Sequence, residues 1–265
     1  MRALIYSFFI VALSFTAFSN QAKAGLETEL LITVKSSDAK FIGTQTGGAH
    51  VIIRNRKTGD VIADGMTYGS TGDTDTIMAQ SIERDAKFTA PETAKFQFSL
   101  EFWEPTPVTI SASANGVSAS FDTILVPEKD YTTGNGIMIE IPGFAVDILS
   151  PAPNSSYDHN AKTPVSLEAN IMHLCGCKIE PDSPWPPERY EVDAYVYKEG
   201  LLVTKFEMPY AGEPGIYASN ITIPIPGIYK LTVVAFDKHN KNVGMDTTSI
   251  ILKGSDNETS QESGN

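Results

Sequence analysis

The sequence predicts an all-β protein built from two tandem antiparallel β-sandwich domains that follow a signal peptide. Short runs of alternating apolar and polar residues recur along the chain, and helical periodicity is nearly absent. Turn-forming sequences separate the runs, as at Asn115-Gly116, where both residues tolerate the positive φ of a tight hairpin. Short strands at this spacing are typical of a sandwich or barrel. The predicted strands of the first half are residues 30–34, 49–54, 96–102, 108–114, 118–126 and 137–141.

The first 24 residues have the organisation of a secretory signal peptide. Arg2 supplies the positive charge, residues 4–18 are apolar, and Ala22-Lys23-Ala24 is a small-x-small cleavage site. The alternative is a transmembrane anchor, but the apolar run is short for a span and a cleavage site follows it. No second apolar stretch is long enough to span a bilayer. We therefore expect a mature chain that is periplasmic or secreted and has no transmembrane anchor.

The chain is acidic, with 20 lysine and arginine residues against 32 aspartate and glutamate residues and a formal net charge of −12. Such a charge repels nucleic acid and anionic lipid surfaces, so we expect neither as a partner. It keeps an exported protein soluble, and it can attract cations or basic partners. Two cysteines are too few for a disulfide framework, so hydrophobic cores must stabilise the fold.

We expect the chain to divide into two domains near Pro142-Gly143, because each half is long enough to bury a core of its own. The N-terminal sandwich would span residues 25–142, and the second sandwich would span residues 143–253. Residues 254–265 are polar and acidic and include no apolar anchor, so we expect a disordered tail there.

Two segments of the second half resemble the ends of bacterial immunoglobulin-like domains. Residues 144–151 form an alternating run that ends in Ser-Pro, and residues 226–237 follow the pattern Gly-x-Tyr-x-Leu-x-Val-x-Ala-x-Asp. The resemblance implies an immunoglobulin-like sandwich in which Tyr229 forms a tyrosine corner. In the first half, residues 48–67 resemble transthyretin-like or carboxypeptidase-regulatory-like sandwich domains. Both resemblances imply a fold and no activity.

The most distinctive stretch is residues 172–177, which hold both cysteines of the chain and one of its four histidines. The alternation of residues 165–171, if it continues, places His173, Cys175 and Cys177 on one face of a strand. One imidazole and two thiolates suit Cu(I) or Zn(II) as a half-site. Met172 points the other way in a regular strand, but a bend could add its thioether as a soft ligand.

Two other interpretations of this stretch stay open at the level of sequence. An oxidising compartment favours a disulfide between Cys175 and Cys177, either structural or redox-active. That bond needs a turn, because residues two apart in a straight strand lie near the upper limit of disulfide geometry. Gly176 lets the backbone kink there. The remaining alternative is a pair of buried thiols without a function.

Residues 181–187 are dense in proline and cannot form a central strand. We expect a rigid, extended loop in which Trp185 is a candidate contact surface beside the cysteines. The alternative is that Trp185 folds back and covers the core.

The sequence lacks the motifs of the common hydrolases, phosphate-binding loops and dinucleotide-binding folds. His50 and His239 lie in different halves without an evident carboxylate partner, so we expect no enzymatic activity and no certain cofactor. The first hypothesis is a non-catalytic binding or envelope-assembly module whose partner is another envelope or extracellular protein. The alternatives are a periplasmic protein that handles Cu(I) or Zn, and a thiol-disulfide protein.

Overall fold

The computed structural model describes residues 25–78, 85–158 and 164–254. The predicted signal peptide, residues 1–24, and all of the predicted tail except Gly254 lie outside these ranges. None of the helices within the described ranges is long and apolar enough to cross a membrane.

The first half of the chain folds into two sheets that contain seven strands. One sheet has the order β4-β1-β7, and the other has the order β3-β2-β5-β6. One short α-helix, α1 (Thr74–Ile77), lies in the long connection after the third strand. The strands are β1 (Leu26–Ser36), β2 (His50–Asn55), β3 (Val61–Met66), β4 (Phe96–Phe102), β5 (Thr106–Ala114), β6 (Val117–Leu125) and β7 (Ile137–Ile141).

The second half also folds into two sheets, and these contain eight strands. A three-stranded sheet has the order β13-β10-β8, and a five-stranded sheet has the order β12-β11-β14-β15-β9. The strands are β8 (Phe144–Ser150), β9 (Ser155–Asp158), β10 (Val165–His173), β11 (Tyr190–Lys198), β12 (Leu201–Glu207), β13 (Ile216–Ile221), β14 (Gly227–Asp237) and β15 (Val243–Lys253).

The all-β fold class predicted from the sequence is confirmed, with one difference in strand direction. Most strand pairs are antiparallel, but β1 pairs with β7 in parallel and β9 pairs with β15 in parallel. The alternation of apolar residues determines which face a side chain occupies. It carries no information about the direction of the neighbouring strand, so the sequence could not reveal these two pairs.

Two local predictions of the sequence are confirmed by backbone and side-chain geometry. Asn115 and Gly116 have φ of +48° and +77° and connect β5 to β6 in a tight hairpin. The Tyr229 hydroxyl donates a hydrogen bond to the Ile225 carbonyl at 2.8 Å, which is the bond of a tyrosine corner. The second half therefore has both the two-sheet arrangement and the tyrosine corner of immunoglobulin-like domains.

Each half encloses a core of its own, and each core receives a residue from the other half. Ala39 follows β1 but packs within the second core, whereas Leu174 follows β10 but packs within the first core. The Leu174 amide also donates to the Ser36 hydroxyl at 3.2 Å. The chain segments around residues 36–39 and 173–177 thus meet where the two halves touch.

Candidate functional site

The two cysteines lie in a tight turn rather than on a continuing strand. β10 ends at His173, and a disulfide joins Cys175 to Cys177 with their Cα atoms 5.4 Å apart. Gly176 has φ of +79°, in the left-handed region that favours glycine. The turn is closed by hydrogen bonds from the His173 amide to the Cys177 carbonyl at 3.0 Å and from the Gly176 amide to the His173 carbonyl at 2.8 Å.

The expectation that His173, Cys175 and Cys177 continue one strand face is therefore wrong beyond His173. The buried face of β10 does alternate as predicted as far as that residue. The chain then reverses direction within four residues, which brings the cysteines close enough to bond. Met172 stays on the opposite, half-buried face of β10, where it lines a cleft with Val243 and Met245.

His173 is completely buried among aromatic rings. Its Nε2 atom shares a hydrogen bond with the Tyr190 hydroxyl at 3.1 Å, and its ring lies 5.1 Å from that of Phe144 and 5.2 Å from that of Trp185. Burial, and secondarily the charge of Arg189, lower the pKa of His173 to about 3. The imidazole is therefore neutral near pH 7, and its role at this position is packing and one hydrogen bond.

Within the parts of the chain that the structure describes, no group of three or more His, Cys, Asp or Glu side chains is arranged to hold a metal ion. Metal binding by cysteine requires thiolates, and a disulfide supplies none. Metal ligation thus stays a prediction about the reduced chain. The metal would be Cu(I) or Zn, and its ligands would be His173, Cys175 and Cys177, with or without Met172.

A thiol titration tests the state of the cysteines directly. The native protein is expected to show no reactive thiols, and the reduced, unfolded protein is expected to show both. Replacing Cys175 and Cys177 by Ala should lower the free energy of unfolding by about 1–2 kcal/mol, because the disulfide closes a very short loop. Two reactive thiols in the unreduced native protein would contradict this assignment and favour metal ligation.

The structure places Trp185 in the core, which confirms the arrangement in which it folds back and excludes the displayed contact surface. Its side chain is 5% exposed, and its indole Nε1 donates a hydrogen bond to the Asp38 carbonyl at 2.9 Å. The Trp185 amide also donates to the Ser183 hydroxyl at 3.0 Å, which holds the proline-rich loop inward. An indole ring gains more from burial than from exposure once its N–H has a partner.

Arg189 is the residue at this junction that sequence reasoning missed. Its guanidinium forms ion pairs with Asp237 of the second half and Asp38 of the first half. The Asp237 carboxylate is fully buried, and burial raises its pKa. Hydrogen bonds, those from Arg189 foremost, and the charge of Arg189 together lower it by more, so the pKa of Asp237 lies below its ordinary value. Arg189 is 151 residues from Asp38 in the sequence, so no local pattern could have linked them.

We call His173, Cys175, Cys177, Trp185 and Arg189 the junction cluster. Trp185 and Arg189 bond to Asp38 of the first half, whereas the disulfide and the His173–Tyr190 hydrogen bond lie within the second half. Among the described residues, the buried His173 Nδ1 atom has no hydrogen-bond partner. None of the cluster's described groups forms the nucleophile–base pair that acyl transfer or hydrolysis needs.

An open sheet edge offers a different kind of site. β12 is the outermost strand of the five-stranded sheet and is paired with β11 on one side. Its first residues, Leu201, Leu202 and Val203, are 74%, 55% and 46% exposed. We call residues 201–203 the apolar edge segment. An edge strand presents backbone N–H and C=O groups on its free side that can pair with another strand.

Other exposed side chains lie near this edge on the outer face of the sheet. Leu202 lies opposite Tyr197 on β11, and Tyr197 lies opposite Lys230 on β14. Opposite residues on paired strands share a face, and so do residues two apart on one strand. Ile228 is two residues from Lys230 on β14, so its exposed side chain lies on the same outer face as Leu202 and Tyr197. Leu202 and Ile228 therefore share one face with Tyr197 and with Lys230, whose ammonium lies 4.7 Å from the centroid of the Tyr197 ring.

No protein-family model matches the chain, and no curated protein matches it. Among solved structures it is similar to an engineered protein, with 15% identity over 49% of this chain and 24% of that chain and a TM-score of 0.31. It is also similar to fibronectin(III)-like modules of Clostridium thermocellum CbhA, with 14% identity over 89% of this chain and 92% of that chain and a TM-score of 0.30.

A further similar structure is that of the titin domains z1z2 in complex with telethonin, with 12% identity over 88% of this chain and 98% of that chain and a TM-score of 0.25. The chain spans only 24% of the engineered protein's length. Such similarities assign neither activity nor ligand to this chain. The transthyretin-like resemblance of the first half is not confirmed by these comparisons.

Proposed function

We propose that the chain is an exported, non-catalytic module of two β-sandwiches that binds another envelope or extracellular protein. Binding would occur by addition of a strand of that partner to the free side of β12. The observation that carries the proposal is the apolar edge segment, three consecutive exposed apolar residues on an unpaired sheet edge. The signal-peptide pattern of residues 1–24 supports a periplasmic or secreted location.

Native proteins usually protect such edges with charges, prolines or bulges. The second half of β12 includes Lys205 and Glu207, and a register shift opposite Val196 and Tyr197 leaves Val203 as a bulge. The apolar edge segment nevertheless has no charged residue and no proline. The edge strand β6 of the first half exposes Ile124 to a similar extent, 56%, but Asp122 lies beside it and pairs with Arg56 at 3.2 Å. With a bulge as its one protection, the segment leaves Leu201 and Leu202 open to pairing with a partner strand.

Charge supports a partner of a particular kind. The chain has a formal net charge of −12, so a basic partner is attracted over long range and an acidic one is repelled. The proposal therefore commits to an extended strand from a basic exported protein.

Capture experiments with matched variants test this function. Purified mature protein would be used as bait in an envelope extract of its source, the captured protein would be identified, and binding would be repeated with both proteins pure. Leu202→Lys places a charge that blocks strand addition and repels a basic partner, so it is expected to weaken binding about tenfold or more.

Ile124→Lys is the control, since it makes the same change at an equally exposed residue on the other edge. It should leave the affinity within about twofold, a difference of less than about 0.5 kcal/mol. Binding that is insensitive to Leu202→Lys, or equally sensitive to both changes, would contradict the proposal, as would a bait that captures no partner.

A further inference from the structure

A groove of about 750 Å³ lies beside the last residues of β12. We call it the acidic groove. Its lining includes two lysines, Lys205 and Lys238, and the polar or aromatic residues Glu188, Glu191, Asp193, Glu207, Tyr210 and Tyr217. The volume is within the range of pockets that hold small organic groups.

In the described chain, three carboxylates of the acidic groove, those of Glu188, Glu191 and Glu207, have no ion-pair partner. Asp193 pairs with Lys205 at 2.8 Å. Glu188 and Glu207 are exposed, and in the described chain neither forms an ion pair. Lys238 does not balance the remaining acids of the lining, so the groove has a net negative charge and attracts cations.

The wall of the groove adds a second and independent feature. Tyr217 is 2% exposed, and its hydroxyl has no hydrogen-bond partner among the residues that the structure describes. Burial, with the neighbouring Tyr210 and Glu188, raises the pKa of Tyr217, so the hydroxyl stays protonated and neutral. Buried polar groups in native proteins nearly always have a partner, so this buried oxygen is one that a donor inserted from the groove would satisfy.

The aromatic rings complete a site for a cation. The rings of Tyr210 and Tyr217 have centroids 5.8 Å apart at an angle of 70°. Aromatic faces attract guanidinium and ammonium groups, and carboxylates form charge-assisted hydrogen bonds with them. A planar guanidinium can use a phenol oxygen, a carboxylate and a ring face together.

We propose that the acidic groove binds the cationic side chain of an arginine or lysine in the strand that the partner adds to β12. This inference rests on the proposed function, and it names the chemistry that selects the partner. Lys205 and Glu207 are part of both β12 and the lining of the groove. A strand that runs along β12 therefore passes over the groove, and every second side chain points to that face.

A peptide titration tests the inference with the full mature chain. The probe is acetyl-Ser-Val-Arg-Val-Ser-amide, and its control has citrulline, which is neutral and nearly isosteric, in place of arginine. We expect saturable binding of the arginine peptide that weakens about tenfold or more with citrulline, because charge-assisted hydrogen bonds are lost. Glu188→Gln combined with Glu207→Gln is expected to cause a similar loss, and Tyr217→Phe a loss of about threefold.

Glu92→Gln is the matched control, because it removes one exposed carboxylate far from the groove lining. Thermal unfolding of each variant separates loss of binding from loss of folding. Equal binding of the two peptides, no binding of either, or an equal effect of Glu92→Gln would overturn the inference. Spermidine that binds more tightly than the arginine peptide would also overturn it and indicate a free polyamine as ligand.

The two proposals fail in different ways. If partner binding depends on Leu202 but the arginine peptide does not bind, the proposed function stands and the groove assignment is wrong. If the arginine peptide binds at the groove but Leu202→Lys does not weaken partner binding, the cation site stands and the assignment of β12 as the binding edge is wrong.

Discussion

Replacing Arg189 by Met is expected to lower the free energy of unfolding by about 3–5 kcal/mol. The change leaves the buried carboxylate of Asp237 without its positive partner, and an unpaired buried charge is among the most costly defects in a folded protein. It also removes the ion pair to Asp38 that joins the two halves. Urea unfolding at pH 7 measures the effect.

Two controls separate the loss of the ion pair from the loss of a large side chain. Adding Asp237→Asn to Arg189→Met should recover part of the stability, because the buried charge is then absent. Arg56→Met removes an exposed pair with Asp122 and should cost less than about 1 kcal/mol. If Arg189→Met cost no more than Arg56→Met, the junction ion pairs would have no structural importance.

The stability of the protein is expected to fall by about 2 kcal/mol between pH 6.5 and pH 5 because of His173. The pKa of the folded imidazole is about 3 because burial opposes its charge, whereas that of the unfolded chain is about 6.5. As the pH falls, the unfolded chain therefore takes up a proton before the folded chain does. The free energy of unfolding should decrease by about 1.4 kcal/mol per pH unit below about 6.5 and level off near pH 3.

The test is a series of urea unfolding curves between pH 7 and pH 5, where most carboxylates remain ionised. His173→Phe combined with Tyr190→Phe removes the titrating group and its hydrogen-bond partner together, so this slope should disappear. Tyr190→Phe alone should retain the slope. A wild-type protein whose stability is constant over this range would show that His173 takes up protons as readily when folded as when unfolded.

The elements that sequence reasoning located correctly are those with local causes. Alternation identified the buried face of β10, and the dipeptide Asn115-Gly116 identified a hairpin. The resemblance of residues 226–237 to immunoglobulin-like domains implied the tyrosine corner at Tyr229. Each of these features depends on residues within a few positions of one another, so a short stretch of sequence is enough to predict it.

The contacts between the halves have non-local causes. The contacts of Trp185 and Arg189 with Asp38 link residues about 150 positions apart, and no periodicity reports such contacts. A local turn at Gly176 also ended β10 at His173, four residues before Cys177, where the predicted face ends. The apolar edge segment could have been found as three consecutive apolar residues, but only the order of strands in the sheet shows that it lies on an edge.

Amide hydrogen exchange of the mature protein, alone and with its identified partner, tests the central claim that β12 accepts a strand. The free side of an edge strand exchanges rapidly, and pairing would slow every second backbone N–H of Leu201–Glu207. The proposal predicts that this protection appears with the partner and is lost in Leu202→Lys. Exchange in β12 that the partner leaves unchanged, with protection confined to another surface such as β6, would contradict it.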